Sequence, residues 1–184
     1  LEPVSGETGK TEALVRGTAA GFAARGLRYG AFRAAADGRV LPGSGLSSSA
    51  AFEVLLAAVQ NALYNAGTAP PAVLAEIGWE AENVHFGKPC GRMDQTACAL
   101  GGISAMDFAD PAAPRIEKID FDFAAAGYAL FVVHTGDGHE DLTADYAAVP
   151  AEMRSVAEAF GKKVLRDLGD IPPRDLIRRA APLR

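Results

Sequence analysis

Three consecutive hydroxyls, Ser47-Ser48-Ser49, follow Pro42-Gly43-Ser44-Gly45-Leu46 and run straight into a stretch of helix formers, residues 50–66. The first turn of a helix leaves backbone N–H groups without intrahelical partners and carries a partial positive charge. Gly43 and Gly45 let a ligand approach the backbone with no Cβ in the way. Hydroxyls can donate to anionic oxygens or ligate a hard cation. This order of residue types suits a bound phosphate. A plain Ser/Gly linker is the competing reading, but linkers do not usually open strongly apolar helices.

Acidic residues supply the other half of a possible chemistry. Asp94 stands in Cys90-Gly91-Arg92-Met93-Asp94-Gln95, just ahead of a short helical stretch, where Asp commonly serves as an N-cap. Glu82 lies on the helix that precedes the loop 87–91 and, beside Glu80, reads on its own as a surface residue. A third polar cluster, His134-Thr135-Gly136-Asp137-Gly138-His139-Glu140-Asp141, ends an apolar stretch. His134, Asp137, His139 and Asp141 are all metal-ligand types, yet His-x4-His across a Gly-rich turn matches no established spacing. A polar surface turn is the plainer reading.

Two other phosphate or acyl-transfer motifs fail on spacing. Gly9-Lys10-Thr11 has the end of a P-loop, but Val4 occupies the position of its first glycine and no strand precedes it. Gly45-Leu46-Ser47-Ser48-Ser49 starts like the nucleophile elbow of serine hydrolases and lacks its closing glycine.

The elements that must carry these residues follow from periodicity and breakers. Apolar residues at helical spacing predict a helix over Thr11–Arg25, ended by Gly26. Tyr29–Ala35 and Arg39–Leu41 read as strands joined by the Asp37-Gly38 turn. The helix over Ala50–Ala66 is closed by Gly67, and Pro70-Pro71 opens the next one, reaching about Phe86. A short helix is expected over Asp94–Leu100, then strands over Ile103–Phe108, Arg115–Phe121 and Tyr128–His134. Leu142–Leu168 is helical by pattern with an interruption at Pro150, and Pro172-Pro173 starts a last helix. Helices and strands mix without strict alternation, which favours an α+β class. Trp79 is expected in the core, and both cysteines read as structural, with Cys98 packed on the short helix.

Bulk properties narrow the function classes. The chain of 184 residues is 49% hydrophobic and 22% charged, ordinary for a globular protein with a buried core. A net charge of −5 and the lack of a basic stripe argue against a nucleic-acid surface; Arg174, Arg178, Arg179 and Arg184 read as a solvated helix face. No apolar run reaches the roughly 20 residues of a membrane helix. Residues 1–10 are polar and acidic, unlike a secretory leader. Two cysteines give no disulfide framework, so reduced thiols in the cytoplasm are expected.

The segment 42–51 resembles the ATP-binding motif of the GHMP kinases, and its triple Ser is most similar to galactokinases. Cys90-Gly91-x-Met93-Asp94-Gln95 resembles the galactokinase signature around the catalytic Asp. A third, weaker likeness covers 134–146, where the interval from His139 to Tyr146 matches. The resemblance implies an α+β fold of the ribosomal protein S5 domain 2-like type, a mixed sheet layered with helices. It implies that Gly43, Ser44, Gly45, Leu46, Ser47, Ser48 and Ser49 hold the phosphates of ATP. It implies Mg2+ on Ser49 and Glu82, since the family carries a metal-binding Glu twelve positions before its catalytic Asp, the interval from Glu82 to Asp94. Asp94 would act on the C1 hydroxyl of galactose, with Gly91 and Tyr146 at the sugar. Residues 1–134 would form the ATP-binding domain, incomplete at its start, and 135–184 the helical start of a truncated C-terminal domain.

The chain also departs from the family pattern. The opening Gly-Glu-His-Thr-Asp motif and the closing Gly-rich motif are absent, which reads as a central fragment or a natural remnant of a kinase. Arg92 replaces a usual apolar residue, and two placements are open for it: paired with Asp94 or turned to solvent. His134 replaces an Asn. A related sugar kinase, such as an N-acetylgalactosamine kinase, and a non-catalytic sugar or nucleotide sensor are the alternatives. Oligomeric state is not legible in the sequence.

Overall fold

The computed structural model describes residues 1–38, 40, 45–133 and 143–181. The chain divides into two compact units, Leu1–His139 and Glu140–Arg184.

In the first unit, helix α1 (Thr11–Ala24) is the expected one and ends where Gly26 turns left-handed. Helix α2 spans Ser48–Asn65 and closes through Ala66 and Gly67, both left-handed. Helix α3 (Pro71–Glu80) starts on the second proline of its pair, whose missing N–H costs nothing at a first turn. It runs without a break into a π-helical segment, Ala81–Phe86, that ends at Gly87. Helix α4 covers Met93–Leu100. The core is made by one face of each helix: Leu14 and Phe22 from α1, Ala50, Val54, Leu56 and Ala57 from α2, Leu74 and Ile77 from α3, and Ala81. Glycines bring α1 unusually close to the α3–π segment. A Cβ at Gly17 would sit 2.7 Å from the Ala81 Cα, and one at Gly21 would sit 2.9 Å from Ile77.

Strand β1 (Ile103–Asp107) pairs antiparallel with β2 (Arg115–Ile119), Ile103 opposite Ile119 and Asp107 opposite Arg115. This two-stranded sheet is the sheet of the described residues, smaller than the expected mixed sheet. Two expected strands do not form. Over 29–35 the backbone forms no strand; side chains of α2 bond its polar groups at Gly30 and Ala31 instead. Gln60 both donates to Gly30 O and accepts from Gly30 N, at 3.1 Å each, Tyr64 donates to Ala31 O, and Asn65 brackets Arg28. Over 128–133 no ladder is made either, and Tyr128, Leu130, Phe131, Val132 and Val133 stand 62% to 81% exposed. Arg39 and Leu41 of the expected hairpin lie outside the described residues.

In the second unit, helix α5 (Thr143–Ala159) passes through Pro150 without the expected interruption. Pro150 forfeits one backbone bond, and the helix formers around it, Ala147, Ala148, Ala151 and Glu152, carry the helix across. A 3-10 turn (Leu165–Leu168) and helix α6 (Pro173–Ala180) follow. The basic face of α6 is tethered as well as solvated: Arg179 lies 4.2 Å over the Phe160 ring and Arg178 pairs with Asp175 at 3.4 Å. Among the described residues no helix is long and apolar enough to cross a membrane.

Candidate active site

The site forms where the first turn of α2, the π-helical segment and the first turn of α4 meet. Ser47 is the N-cap of α2, but in a left-handed conformation (φ 55°) that L-residues with a Cβ seldom adopt. Its hydroxyl makes no cap bond to the helix. It donates instead to Asp94 Oδ2 at 2.6 Å. The first amides of α2 are therefore left without a side-chain cap, as an anion site at a helix start requires. Ser48 and Ser49 are half-buried on that turn, and Gly45 and Leu46 are exposed ahead of it. Gly43 and Ser44 lie outside the described residues.

Asp94 is the second residue of α4, exposed, and its N-cap is Arg92; the capping role open to Asp94 in the sequence is not the one it plays. Gly91, also exposed, has open space where a Cβ would stand. Arg92 neither pairs with Asp94 nor points freely to solvent. It stacks 4.4 Å over Trp79 and donates to Pro111 O at 3.1 Å. Trp79 is thus a half-buried prop and not a core residue, and its Nε1 donates to Cys90 O at 2.9 Å. Asn83 grips the same loop, accepting from Cys90 N at 3.1 Å and donating to Trp79 O at 3.0 Å.

Glu82 is buried, at 2% exposure, and so is no surface residue. Two positions along a helix differ by about 200°, so Glu80 faces Arg25 on the outside while Glu82 turns inward. The widened turn ends on Glu82, whose carbonyl accepts from Gly87 N at 3.0 Å. Glu82 Oε2 accepts from Gln95 Nε2 at 2.8 Å and from the Cys90 thiol at 3.0 Å. Its Oε1 faces the ammonium of Lys88 at 3.3 Å. Gln95 Nε2 also reaches Glu53 Oε2 at 3.0 Å, tying a second buried acid to the first. Burial, then the charge of Glu82, pushes the Glu53 carboxyl up to about 8. Burial, then the hydrogen bond to Glu82, pushes the Cys90 thiol up to about 12. Cys98 is exposed, not packed.

These residues suit a hard cation through oxygen donors alone. Glu82 Oε1 is the carboxylate oxygen left free by Gln95 and Cys90, and the Lys88 ammonium already puts positive charge there. Glu53 Oε1 and Gln95 Oε1, both buried, lack hydrogen-bond partners close by. No cluster of three or more His, Cys, Asp or Glu is placed to hold a metal among the described residues. A cation here would rest on one carboxylate, a hydroxyl such as Ser49, and ligand oxygens. The His134–Asp141 cluster lies outside the described residues. Tyr146 is an exposed residue of α5 in the second unit.

Residues 13–102, which hold the Ser47–Asp94 contact and the Glu82 pocket, match the model of the GHMP kinases N terminal domain. Residues 13–102 thus carry a GHMP kinase N-terminal domain. The chain is 40% identical over 126 residues to a galactokinase of Streptomyces coelicolor, covering 68% of this chain and 32% of that protein. It is 34% identical over 155 residues to a galactokinase of Pyrococcus furiosus, covering 80% of this chain and 42% of the relative. It is 31% identical over 170 residues to a galactokinase of Thermotoga petrophila, covering 92% and 47%. The chain thus spans from 32% to 47% of the length of these relatives.

Glu53 was in no motif, and Gln95 stood in the 90–95 signature without a role of its own. A signal for Glu53 existed: it shares the buried face of α2 with Ala50, Val54 and Ala57, an acid at apolar spacing. For Gln95 the signal was its place at the end of that signature, next to Asp94.

Proposed function

We propose that this chain supplies the nucleotide-binding and acid-bearing part of a galactokinase, which transfers the γ-phosphate of ATP to the C1 hydroxyl of galactose. The observation that carries this reading is the 2.6 Å bond from Ser47 to Asp94, which joins the uncapped start of α2 to an exposed carboxylate. The phosphate chain of ATP rests on the amides of the α2 first turn and the loop 43–49. Asp94 orients the C1 hydroxyl and takes its proton as the new O–P bond forms and the bond from phosphorus to the ADP oxygen breaks. Ser49 and Glu82 hold Mg2+, which when bound neutralises phosphate charge. Cys90, Gln95 and Lys88 fix the Glu82 carboxylate, while Trp79 and Asn83 hold the loop that carries Gly91 to the sugar.

On this reading residues 1–134 are the ATP-binding domain, with the layered S5 domain 2-like sheet of the family, and 135–184 open a C-terminal domain in which Tyr146 meets the sugar. Calorimetric titration with Mg·ATP and with galactose tests it, alongside an assay for galactose 1-phosphate. Wild type should bind both ligands. Asp94→Ala should keep Mg·ATP affinity and lose galactose 1-phosphate formation in any form of the protein that has it. A wild-type chain that takes up neither ligand would refute the reading.

A further inference from the structure

We infer that Ser47 is the positioning residue for Asp94: its backbone serves the nucleotide side and its hydroxyl serves the acid. The inference rests on the kinase reading above and divides one residue between its two substrates. Two features of Ser47 have a cost and no local benefit. A left-handed φ of 55° is strained for a residue with a Cβ. A Ser at an N-cap normally returns its hydroxyl to the helix amides, which stabilises the helix, and here it does not.

Both costs have one explanation. The left-handed backbone turns the hydroxyl away from the helix and onto Asp94 Oδ2 at 2.6 Å. The same turn leaves the amides of the α2 first turn uncapped for phosphate. With Oδ2 occupied by a fixed donor, Oδ1 is the carboxylate oxygen left for a sugar hydroxyl, so the bond sets the angle at which the acid is presented. No other hydrogen bond or ion pair fixes the Asp94 side chain among the described residues. Asp94 is exposed, so without Ser47 its χ angles are free to wander. Ser47 also links the two ligands physically, because any movement of the phosphate loop moves the donor on the acid.

The test uses the full chain with Ser47→Ala, Ser47→Gly, Asp94→Ala and the double variant Ser47→Ala/Asp94→Ala. Ala keeps the Cβ and its backbone strain, whereas Gly relieves the strain; both lack the hydroxyl. Calorimetry should give Mg·ATP affinities within about threefold of wild type for both Ser47 variants. Galactose affinity should fall about tenfold in both, the scale of a lost bond to a charged group, although their thermal stabilities move in opposite directions. The double variant should bind galactose no more weakly than Asp94→Ala alone. Without ligand, urea unfolding of the four proteins should show non-additive effects of the two sites.

Loss of Mg·ATP affinity with galactose binding intact would make the Ser47 hydroxyl a phosphate donor and overturn the inference. Galactose affinities that follow stability, with Gly near wild type, would also overturn it, as would additive unfolding effects. Failure of wild type to bind either ligand strikes the kinase reading itself, while the unfolding cycle still reports on the Ser47–Asp94 link.

Discussion

The Cys90 thiol donates to the Glu82 carboxylate at 3.0 Å, inside a pocket that buries Glu82 almost completely. A thiolate there would face a carboxylate in a desolvated site, so the proton stays on sulfur and the group is pushed up to about 12. The Glu82 carboxylate thus disfavours the thiolate that a nucleophilic Cys90 would need. The work of Cys90 is to hold one oxygen of Glu82 and, through its backbone, to accept from Trp79 and Asn83.

Thiol labelling separates the two cysteines. Maleimide at neutral pH should modify the exposed Cys98 readily and Cys90 only when the chain unfolds. Mass spectrometry of peptides from native and urea-treated protein reads the difference. Cys90→Ala should remove a donor from a buried carboxylate and cost about 1–3 kcal/mol in urea unfolding. Fast native modification of Cys90 would show that the pocket is open.

Glu53 gives stability a pH dependence with a definite sign. Its folded carboxyl titrates at about 8 against an ordinary value of 4.5, through burial first and the Glu82 charge second; Asp94 adds to the rise, while Gln95 and Lys88 oppose it. Between those two pH values the unfolded chain has released the proton and the folded chain keeps it. Stability of the metal-free protein should then fall as pH rises through this window, by up to about 1.4 kcal/mol per pH unit from this group. Glu53→Gln cannot ionise and should flatten the slope. Urea midpoints at pH 5, 6, 7 and 8 for the two proteins make the comparison, and parallel curves would exclude Glu53 as the source.

Helices were legible in the sequence where apolar spacing and breakers agree, as in α1 between Thr11 and Gly26 and α3 from Pro71. What escaped was long-range pairing. The segment 29–35 carries a strand pattern, yet Gln60 and Tyr64 bond its backbone at Gly30 and Ala31 from a helix some thirty residues away, and no local rule anticipates that. The run 128–133 has strand propensity, but propensity makes no ladder without a partner edge. At the site, the phosphate loop and Asp94 could be read from motif. The inward turn of Glu82, the Gln95 bridge to Glu53 and the aim of Ser47 depend on three elements meeting, which no single segment encodes. Trp79 misled because a large aromatic usually marks a core, whereas here an indole N–H and a stacked Arg hold a loop.

The chain has a single tryptophan, which makes the Arg92–Trp79 stack directly observable. Arg92→Ala should uncover one face of the indole, shift its emission to longer wavelength and cost about 0.5–2 kcal/mol. Because Trp79 Nε1 is bonded to Cys90 O, amide hydrogen exchange over 87–92 should rise in the same variant. Unchanged emission would mean that the guanidinium does not cover the ring in solution.

The glycines of α1 test how the Glu82 segment is held. At an open helix position Gly→Ala gains about 1 kcal/mol from propensity. At Gly17 the new Cβ would meet the Ala81 Cα at 2.7 Å and Cβ at 2.8 Å, with His85 Cβ at 3.1 Å. Backbone cannot swing aside, so α1 and the π-helical segment must separate. At Gly21 the obstacle is the buried Ile77 side chain, 2.9 Å away at Cγ2 and 3.2 Å at Cβ, and not backbone, so less of the fold has to move. Gly17→Ala should therefore lose about 3 kcal/mol net, and Gly21→Ala about 1 kcal/mol. Ala81 immediately precedes Glu82, so Gly17→Ala should also weaken Mg·ATP binding several-fold while Gly21→Ala leaves it near wild type. Urea unfolding and calorimetry on the two variants read both quantities. Equal losses at the two positions would mean that the close approach of α1 to Ala81 is not what seats the acid.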